Sequence, residues 1–362
     1  MRRFARTCLA GLCATVLSGW LTGGDVRANW WPLEIDVWEP PFNGDLKRRT
    51  DTYEALKKAA KPWRICASIP HLKDPYWAAV NYALIDEAKR LGVGLRLYEA
   101  GGYSRLDVQR RQVEECMDGG GDGLILSGIS ATGLNDLVDK YVAQKKPVID
   151  MINGIASDKI TARAAVDFFD TGMAAAQYLR KLHDGASEPV KVGWFPGPDG
   201  AVWVDQADKG FRQGIEGSTI KILTAARGDT GRATQGRLVE AALDKYTDLD
   251  YIVGTTVTAD AAVDLLRRKG LRDKVKVMAF YYGPAVHRGI RRGNVIAAPT
   301  DLQALQARIS VDLVVRALEG QKLVRHVAPK VKVIDRKNIK KFDATTSLPP
   351  RGFRPIFSVN DW

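Results

Sequence analysis

The sequence predicts an α/β fold built from two doubly wound parallel-sheet lobes. Short apolar runs such as "ICASI" and "GLILS" alternate with amphipathic stretches of helical period, as in parallel sheets covered by helices on both faces. The alternation occurs in two successive series of similar size, which suits two open sheets better than one closed barrel, the runner-up architecture. A length of 362 residues also exceeds what one core accommodates, since single cores stop growing at roughly 250–300 residues.

In chain order, residues 1–28 read as a secretory signal peptide. Arg2, Arg3 and Arg6 precede an apolar stretch from Cys8 to Leu21, and Val26-Arg27-Ala28 supplies small residues around a cut after Ala28. The apolar stretch is too short and too interrupted by glycine to span a bilayer, which takes about 20 apolar residues. "LAGLC" (9–13) is one residue too long for a lipoprotein cleavage box, so lipidation is the weaker alternative. No later segment reads as a membrane span, and the expected location is the periplasm.

Residues 29–62 are rich in Trp and Pro and lack a clear period, so they read as an extension lying on a neighbouring surface. The first series then runs as strand 63–69, helix 76–91, strand 93–98, helix 104–118, strand 123–127, helix 131–144 and strand 147–152. Strand 162–167 opens the second series. Helix 169–183, strand 190–195, helix 203–216, strand 219–225, helix 231–246, strand 250–255, helix 258–269 and strand 275–280 continue it. Helix 285–292, strand 294–298 and helix 301–319 follow, and residues 346–362 read as an extended strap.

The formal charge of +12 falls to +9 without residues 1–28, which carry Arg2, Arg3, Arg6 and Arg27 against Asp25. The basic residues lie in short separate clusters (267–269, 288, 291–292, 337–341), which read as a solvated basic surface; an exported chain meets no nucleic acid. Cys8 and Cys13 leave with the signal peptide, so Cys66 and Cys116 remain. In a doubly wound order the helix after the second strand crosses back over the first, which puts both cysteines at one end of the layer. A disulfide and a pair of packed thiols are both open.

Enzyme signatures are missing: there is no G-x-S-x-G, no H-E-x-x-H, no phosphate loop, and the four histidines are not spaced as metal ligands. The sequence therefore points to binding without catalysis or cofactor. In open α/β sheets ligands sit beyond the carboxyl ends of the strands. Those ends carry His71, Asp74, Tyr76 and Trp77; Asp167, Phe168 and Phe169; Trp203 and Asp205; and Tyr281 and Tyr282. The candidate ligand-binding set is Asp74, Tyr76, Trp77, Phe168, Trp203, Tyr281 and Tyr282. Aromatic faces with an occasional acid suit a compact methylated cation or dipole. Asp74 reads equally as a polar anchor for that ligand or as a helix cap.

The opening of the first series, "ICASIPHLKDPYWAAV", resembles the type I periplasmic binding proteins of the ribose-binding kind. Their first strand is followed by an Asn-Pro-aromatic-aromatic turn, and Asp74-Pro75-Tyr76-Trp77 occupies that turn here. "WWPLEIDVWEPPF", "TYEALKKAAKPWRIC", "DEAKRLGV" and "EAGGY" are similar to a signalling member of the family. The resemblance implies two lobes joined by a multi-strand hinge, an N-terminal lobe of 63–165 plus 297–320 and a C-terminal lobe of 166–296 plus 321–345. It implies a small methylated amine such as trimethylamine N-oxide as ligand and the periplasmic domain of a membrane sensor histidine kinase as partner. By that likeness Asp74, Tyr76 and Trp77 match the turn, and Phe168, Trp203 and Tyr281 or Tyr282 complete the cleft. A sugar receptor of an ABC transporter is the alternative, but a sugar site needs more Arg and Asn than these strand ends offer. A DNA-binding regulator on the same fold lacks its helix-turn-helix here.

Overall fold

The computed structural model describes residues 30–42, 47–360 and 362. The expected signal peptide, 1–28, lies outside the described residues. The chain from Trp31 onward forms one unit.

It opens with an antiparallel hairpin of β1 (Leu33–Trp38) and β2 (Arg48–Tyr53), in register Leu33 to Tyr53 and Trp38 to Arg48. Residues 29–62 are therefore more than a covering segment. Ile35, Val37 and Trp38 are buried, and an alternating strand with that inward face extends the sheet beside it. The period is hard to see in sequence because β1 has only six residues and prolines on both sides.

The first parallel series is β3 (Arg64–Ile69), α1 (Tyr76–Leu91), β4 (Gly94–Glu99), α2 (Leu106–Asp118), β5 (Gly123–Leu126), α3 (Asn135–Ala143), β6 (Val148–Met151) and β7 (Ala162–Ala164). Its strands lie in the order β4-β3-β5-β6-β7, all parallel, and are buried almost throughout. The switch point of this sheet falls beside β3, where ligands bind in open α/β folds. A disulfide joins Cys66 of β3 to Cys116 of α2, with Cα atoms 5.9 Å apart. The crossover geometry brings the two thiols together, and the alternative of separate packed thiols is set aside.

The second series is α4 (Phe168–Leu182), β8 (Val190–Phe195), α5 (Val202–Ile215), β9 (Ile220–Ala225), α6 (Arg232–Lys245), β10 (Tyr251–Gly254), α7 (Thr256–Arg268), β11 (Lys276–Ala279) and α8 (Pro284–Arg292). Its sheet runs β11-β10-β8-β9, again parallel with the switch beside its first strand. Helices α4 and α5 touch backbone to backbone at two glycines. A Cβ on Gly172 would lie 2.1 Å from the Ala207 carbonyl oxygen, and one on Gly210 would lie 2.0 Å from that of Phe169. No side chain fits there, and this close approach sets the spacing of the aromatic residues that open both helices.

The return of the chain corrects the expected lobe boundaries at two short strands. β12 (Ala297–Thr300), expected with the first lobe, pairs with β14 (Lys332–Asp335) and lies against α4 and β11. α9 (Gln303–Leu318) packs on α1 and on the first sheet. β13 (His326–Pro329), expected with the second lobe, pairs parallel to β7 and antiparallel to β1. Fully buried four-residue strands take whichever sheet offers an open edge, and composition does not say which. The chain thus crosses between lobes near 165–167, 300–302 and 330–331, and returns to the first lobe between β14 and the C-terminal strap. The C-terminal strap ends as β15 (Ser358–Val359), antiparallel to β4. Asn81 holds it in place, donating to the Ile356 carbonyl at 2.7 Å and accepting from the Ile356 N–H at 2.9 Å.

Candidate ligand-binding site

Seven strand ends converge on one small cavity. The turn after β3 supplies Asp74, Tyr76 and Trp77; the loop after β4 supplies Tyr103; the end of β6 supplies Ile152 and Asn153. From the second lobe come Phe168 and Trp203 at the starts of α4 and α5, Thr230 after β9 and Tyr281 after β11. Thr256, at the start of α7 after β10, reaches in from behind Asp74. The space among them is about 280 Å³ with its open mouth counted, and apart from Tyr103 the lining residues are almost fully buried.

The rings form a continuous wall. Tyr76 meets Trp77 and Tyr281 edge-on, each at 5.4 Å between centroids, and Trp203 meets Tyr281 edge-on at 5.9 Å. Phe168 and Tyr103 close the ring against Trp203 at 5.7 and 6.1 Å. Six aromatic side chains therefore face one space small enough that a guest touches several at once.

Asp74 stands behind this wall, 2 % exposed. Its carboxylate accepts from the Tyr76 N–H at 2.9 Å, from Thr256 Oγ1 at 3.0 and 3.1 Å, and from the Tyr281 hydroxyl at 2.7 Å. Burial raises its pKa above the ordinary carboxylate range, and the Tyr281, Tyr76 and Thr256 bonds oppose that rise. Beside the two sequence readings, ligand anchor and helix cap, Asp74 has a third role. Asp74 ties the first turn of α1 to two residues of the other lobe.

Asp301, at the second crossing, holds the other side of the wall. It accepts from the Tyr76 hydroxyl at 2.5 Å and from Gln306 Nε2 at 2.6 Å, and burial pushes its pKa up to about 6. Two backbone outliers flank the site. Ile152 has φ 68° and Leu302 φ 55°, a left-handed conformation that is unfavourable for any residue with a Cβ, most of all for β-branched Ile152, and persists only where the surroundings impose it.

The three tyrosine hydroxyls differ. Those of Tyr76 and Tyr281 donate to Asp301 and Asp74. That of Tyr103 accepts from Trp203 Nε1 at 2.9 Å and from Asn153 Nδ2 at 3.2 Å, while its contact to Asn153 Oδ1 is 3.5 Å. Its lone pairs are used and its proton goes only to that long contact, so an acceptor in the cavity competes for it on good terms. Behind it His71, pushed down to about 4 by burial, is neutral at pH 7 and bonds Thr230 Oγ1 at 3.0 Å across the cleft.

Six of the seven candidates from the sequence line this space: Asp74, Tyr76, Trp77, Phe168, Trp203 and Tyr281. Tyr282 does not. Its ring is fully buried in the second lobe beside Phe342, and its hydroxyl bonds His287 Nδ1 at 2.7 Å, because adjacent residues leaving a strand point to opposite faces. Tyr103, Asn153, Thr230 and Thr256 were absent from the sequence set, although the strand-end rule applied to β4, β6, β9 and β10 finds all four.

Residues 65–322 match the family model described as "Periplasmic binding protein domain". The chain is a periplasmic binding protein. It is 36% identical over 300 residues to the "Periplasmic protein TorT" of Escherichia coli K12, covering 83% of this chain and 86% of that one. Among solved structures, this periplasmic binding protein is similar to an ABC transporter solute binding protein from Bradyrhizobium sp. BTAi1 with bound Bis-Tris. That match has a TM-score of 0.81 and 46% identity, over 91% of this chain and 99% of the other. It is also similar to TorT in the complex of the TorS sensor domain with TorT, solved without ligand and with TMAO (trimethylamine N-oxide). There the TM-score is 0.75 at 31% identity, over 82% of this chain and 99% of the other. The family is one of binding proteins, and the periplasm is its compartment.

Proposed function

We propose that the protein binds trimethylamine N-oxide, or a near relative among small methylated amines, in this cavity and reports its occupancy to the periplasmic sensor domain of a membrane histidine kinase of the TorS kind. It carries out no chemistry on the ligand. The observation that carries the reading is the aromatic cavity with one weakly held hydroxyl proton, that of Tyr103, whose donation to Asn153 Oδ1 spans 3.5 Å.

An N-oxide presents methyl groups of partial positive charge around nitrogen and one strongly accepting oxygen. Ring faces attract such methyl groups, by about 0.5–2 kcal/mol for a good contact. Trp77, Tyr76, Phe168, Trp203 and Tyr281 would surround them, and Tyr103 would donate to the oxygen. Asp74 acts through Tyr281 and the wall's negative potential. The size of the cavity favours a ligand of a handful of non-hydrogen atoms and disfavours a hexose. The likeness to TorT, solved with TMAO and with the TorS sensor domain, supports both ligand and partner.

A second reading keeps the ligand class and changes the destination. The 46% identical Bradyrhizobium protein is described as an ABC transporter solute binding protein, and its Bis-Tris is a tertiary amine. Copurification separates the two: the signalling role expects a stable complex with the sensor domain of a TorS-type kinase, and the transport role expects none.

Calorimetric titration tests the ligand. Trimethylamine N-oxide should bind and ribose should not. Tyr103→Phe should weaken binding about tenfold to a hundredfold and, because it strands the Trp203 indole N–H, cost about 1–3 kcal/mol of stability in a protein that still folds. Saturable ribose binding with no response to the amine oxide would sink the proposal.

A further inference from the structure

The arginine clusters that stand apart in the sequence come together in the second lobe. Residues 267–292 hold nine Lys and Arg against Asp273 alone, a net +8 out of the chain's +12. Arg267, Arg272, Arg288 and Arg292 line one surface groove between α7 and α8, together with Asp260 and Asp264, whose charges are engaged by Arg232. Arg272 donates to the Asn294 side chain at 2.6 Å, and the Arg336 guanidinium lies beside Gly293, which brings the start of the 336–341 cluster to the same face.

Most of these charges form no ion pair among the described residues, whereas several basic residues of the first lobe do. In the first lobe Arg90, Arg110, Lys140, Lys159 and Arg163 each pair with a carboxylate. Here Arg267 reaches Asp264 at 3.4 Å and Lys269 reaches Asp244 at 2.7 Å. Arg268, Arg272, Arg288, Arg291, Arg292 and Arg336 are exposed and form no ion pair among the described residues. Half-buried His287 feels the field: burial first, then the Arg291 and Arg288 charges, lower its pKa.

A concentrated, uncompensated positive face needs an anionic partner, and its apolar content says which kind. Protein interfaces are held by buried aromatic or aliphatic anchors at their centre. The large hydrophobic side chains left substantially exposed among the described residues are Leu182 and Phe357, and neither belongs to these segments. Guanidinium forks match phosphate oxygens in pairs, and a bilayer offers phosphates at many positions without demanding an apolar fit. We propose that this arginine face of the second lobe docks the protein on an anionic phospholipid surface, bringing it to the membrane that bounds its compartment. The contact is electrostatic, weak per residue and sensitive to salt.

Cosedimentation of the purified protein with vesicles tests this. Vesicles of phosphatidylglycerol and phosphatidylethanolamine should carry the protein down at low ionic strength, and vesicles of phosphatidylcholine should not. The variant R288E/R291E/R292E should bind the anionic vesicles at least about tenfold more weakly. R110E/K140E/K159E changes net charge equally on the first lobe and should stay within about twofold of the parent. Circular dichroism and melting confirm that both variants fold, with K57E/K58E/K61E replacing the control if it does not. Failure of the parent to bind anionic vesicles would overturn the proposal, as would equal losses in the two variants. Retention on immobilised polyglutamate without vesicle binding would also overturn it and assign the face to an acidic protein.

Discussion

Two hollows lie on either side of the hinge, and they share only Ile152. One is a broad groove of about 1530 Å³ between the hairpin, the 152–158 loop and α5, lined by Trp38, Phe42, Arg163, Asp167, Lys209 and His326. The other is the aromatic cavity of about 280 Å³. Size favours the groove, yet its most buried polar groups are already employed. Arg163 pairs with Asp150 at 2.6 Å, and Asp167 accepts from the Phe169 N–H at the start of α4. His326, pushed down to about 3 by burial, stacks on Trp38 at 4.1 Å. In the cavity, by contrast, the bonds that hold the walls leave the Tyr103 proton on a long contact to Asn153 Oδ1 of 3.5 Å. Burial of the lining side chains and a weakly held hydroxyl proton mark the cavity as the candidate small-ligand site more than volume does.

The largest break in this contrast should come from Asp74→Ala. It strands the Tyr281 and Thr256 hydroxyls and the Tyr76 N–H, and should cost about 3–5 kcal/mol in denaturant unfolding. Binding in the cavity should fall at least about a hundredfold in calorimetry, since wall and closure fail together. An unchanged melting curve would mean that these bonds do not join the lobes.

Asp301 sharpens the contrast through pH. The folded protein holds its proton up to about pH 6, and the unfolded chain releases it near the ordinary value of 3.8. Between those values the folded state binds more protons, so this group's contribution is full below the window, declines as pH rises through it and is lost above. The stability difference between the parent and Asp301→Asn should therefore change by on the order of 3 kcal/mol from pH 4 to pH 7. His71 and His326 act in the opposite sense, because each is buried neutral, but they cancel in that difference. A flat difference would place the Asp301 proton elsewhere.

The smallest effect belongs to the groove. Lys209→Ala should shift cavity binding by less than about twofold and stability by less than about 0.5 kcal/mol, as for surface substitutions generally. A larger loss of amine binding would make the groove part of the site.

Much of this was legible in the sequence, for physical reasons. Buried parallel strands write themselves as continuous apolar runs, so the two sheets and their switch points could be anticipated, and with them the turn at Asp74-Pro75-Tyr76-Trp77. Strands shorter than that signal were not: β12 and β13 are four residues each, and pairing with a distant edge decided their lobe. Tyr103 and Asn153 escaped because a lone polar residue after a strand has no pattern of its own. Tyr282 was included because composition cannot tell which of two adjacent aromatics faces the cleft. The arginine clusters looked scattered for a related reason. Proximity between 267–272, 288–292 and 336 arises from folding alone.

The bonds that close the cavity also govern time. Tyr281 and Thr256 to Asp74, Trp203 to Tyr103 and Thr230 to His71 all run from one lobe to the other, and they surround the guest on its way out. A molecule held there leaves only when the lobes part and these bonds break together. Its residence is then set by the rate of opening, with the strength of its own contacts a second factor. An occupied protein would persist through brief dips in ligand concentration and change state only when scarcity outlasts the opening time.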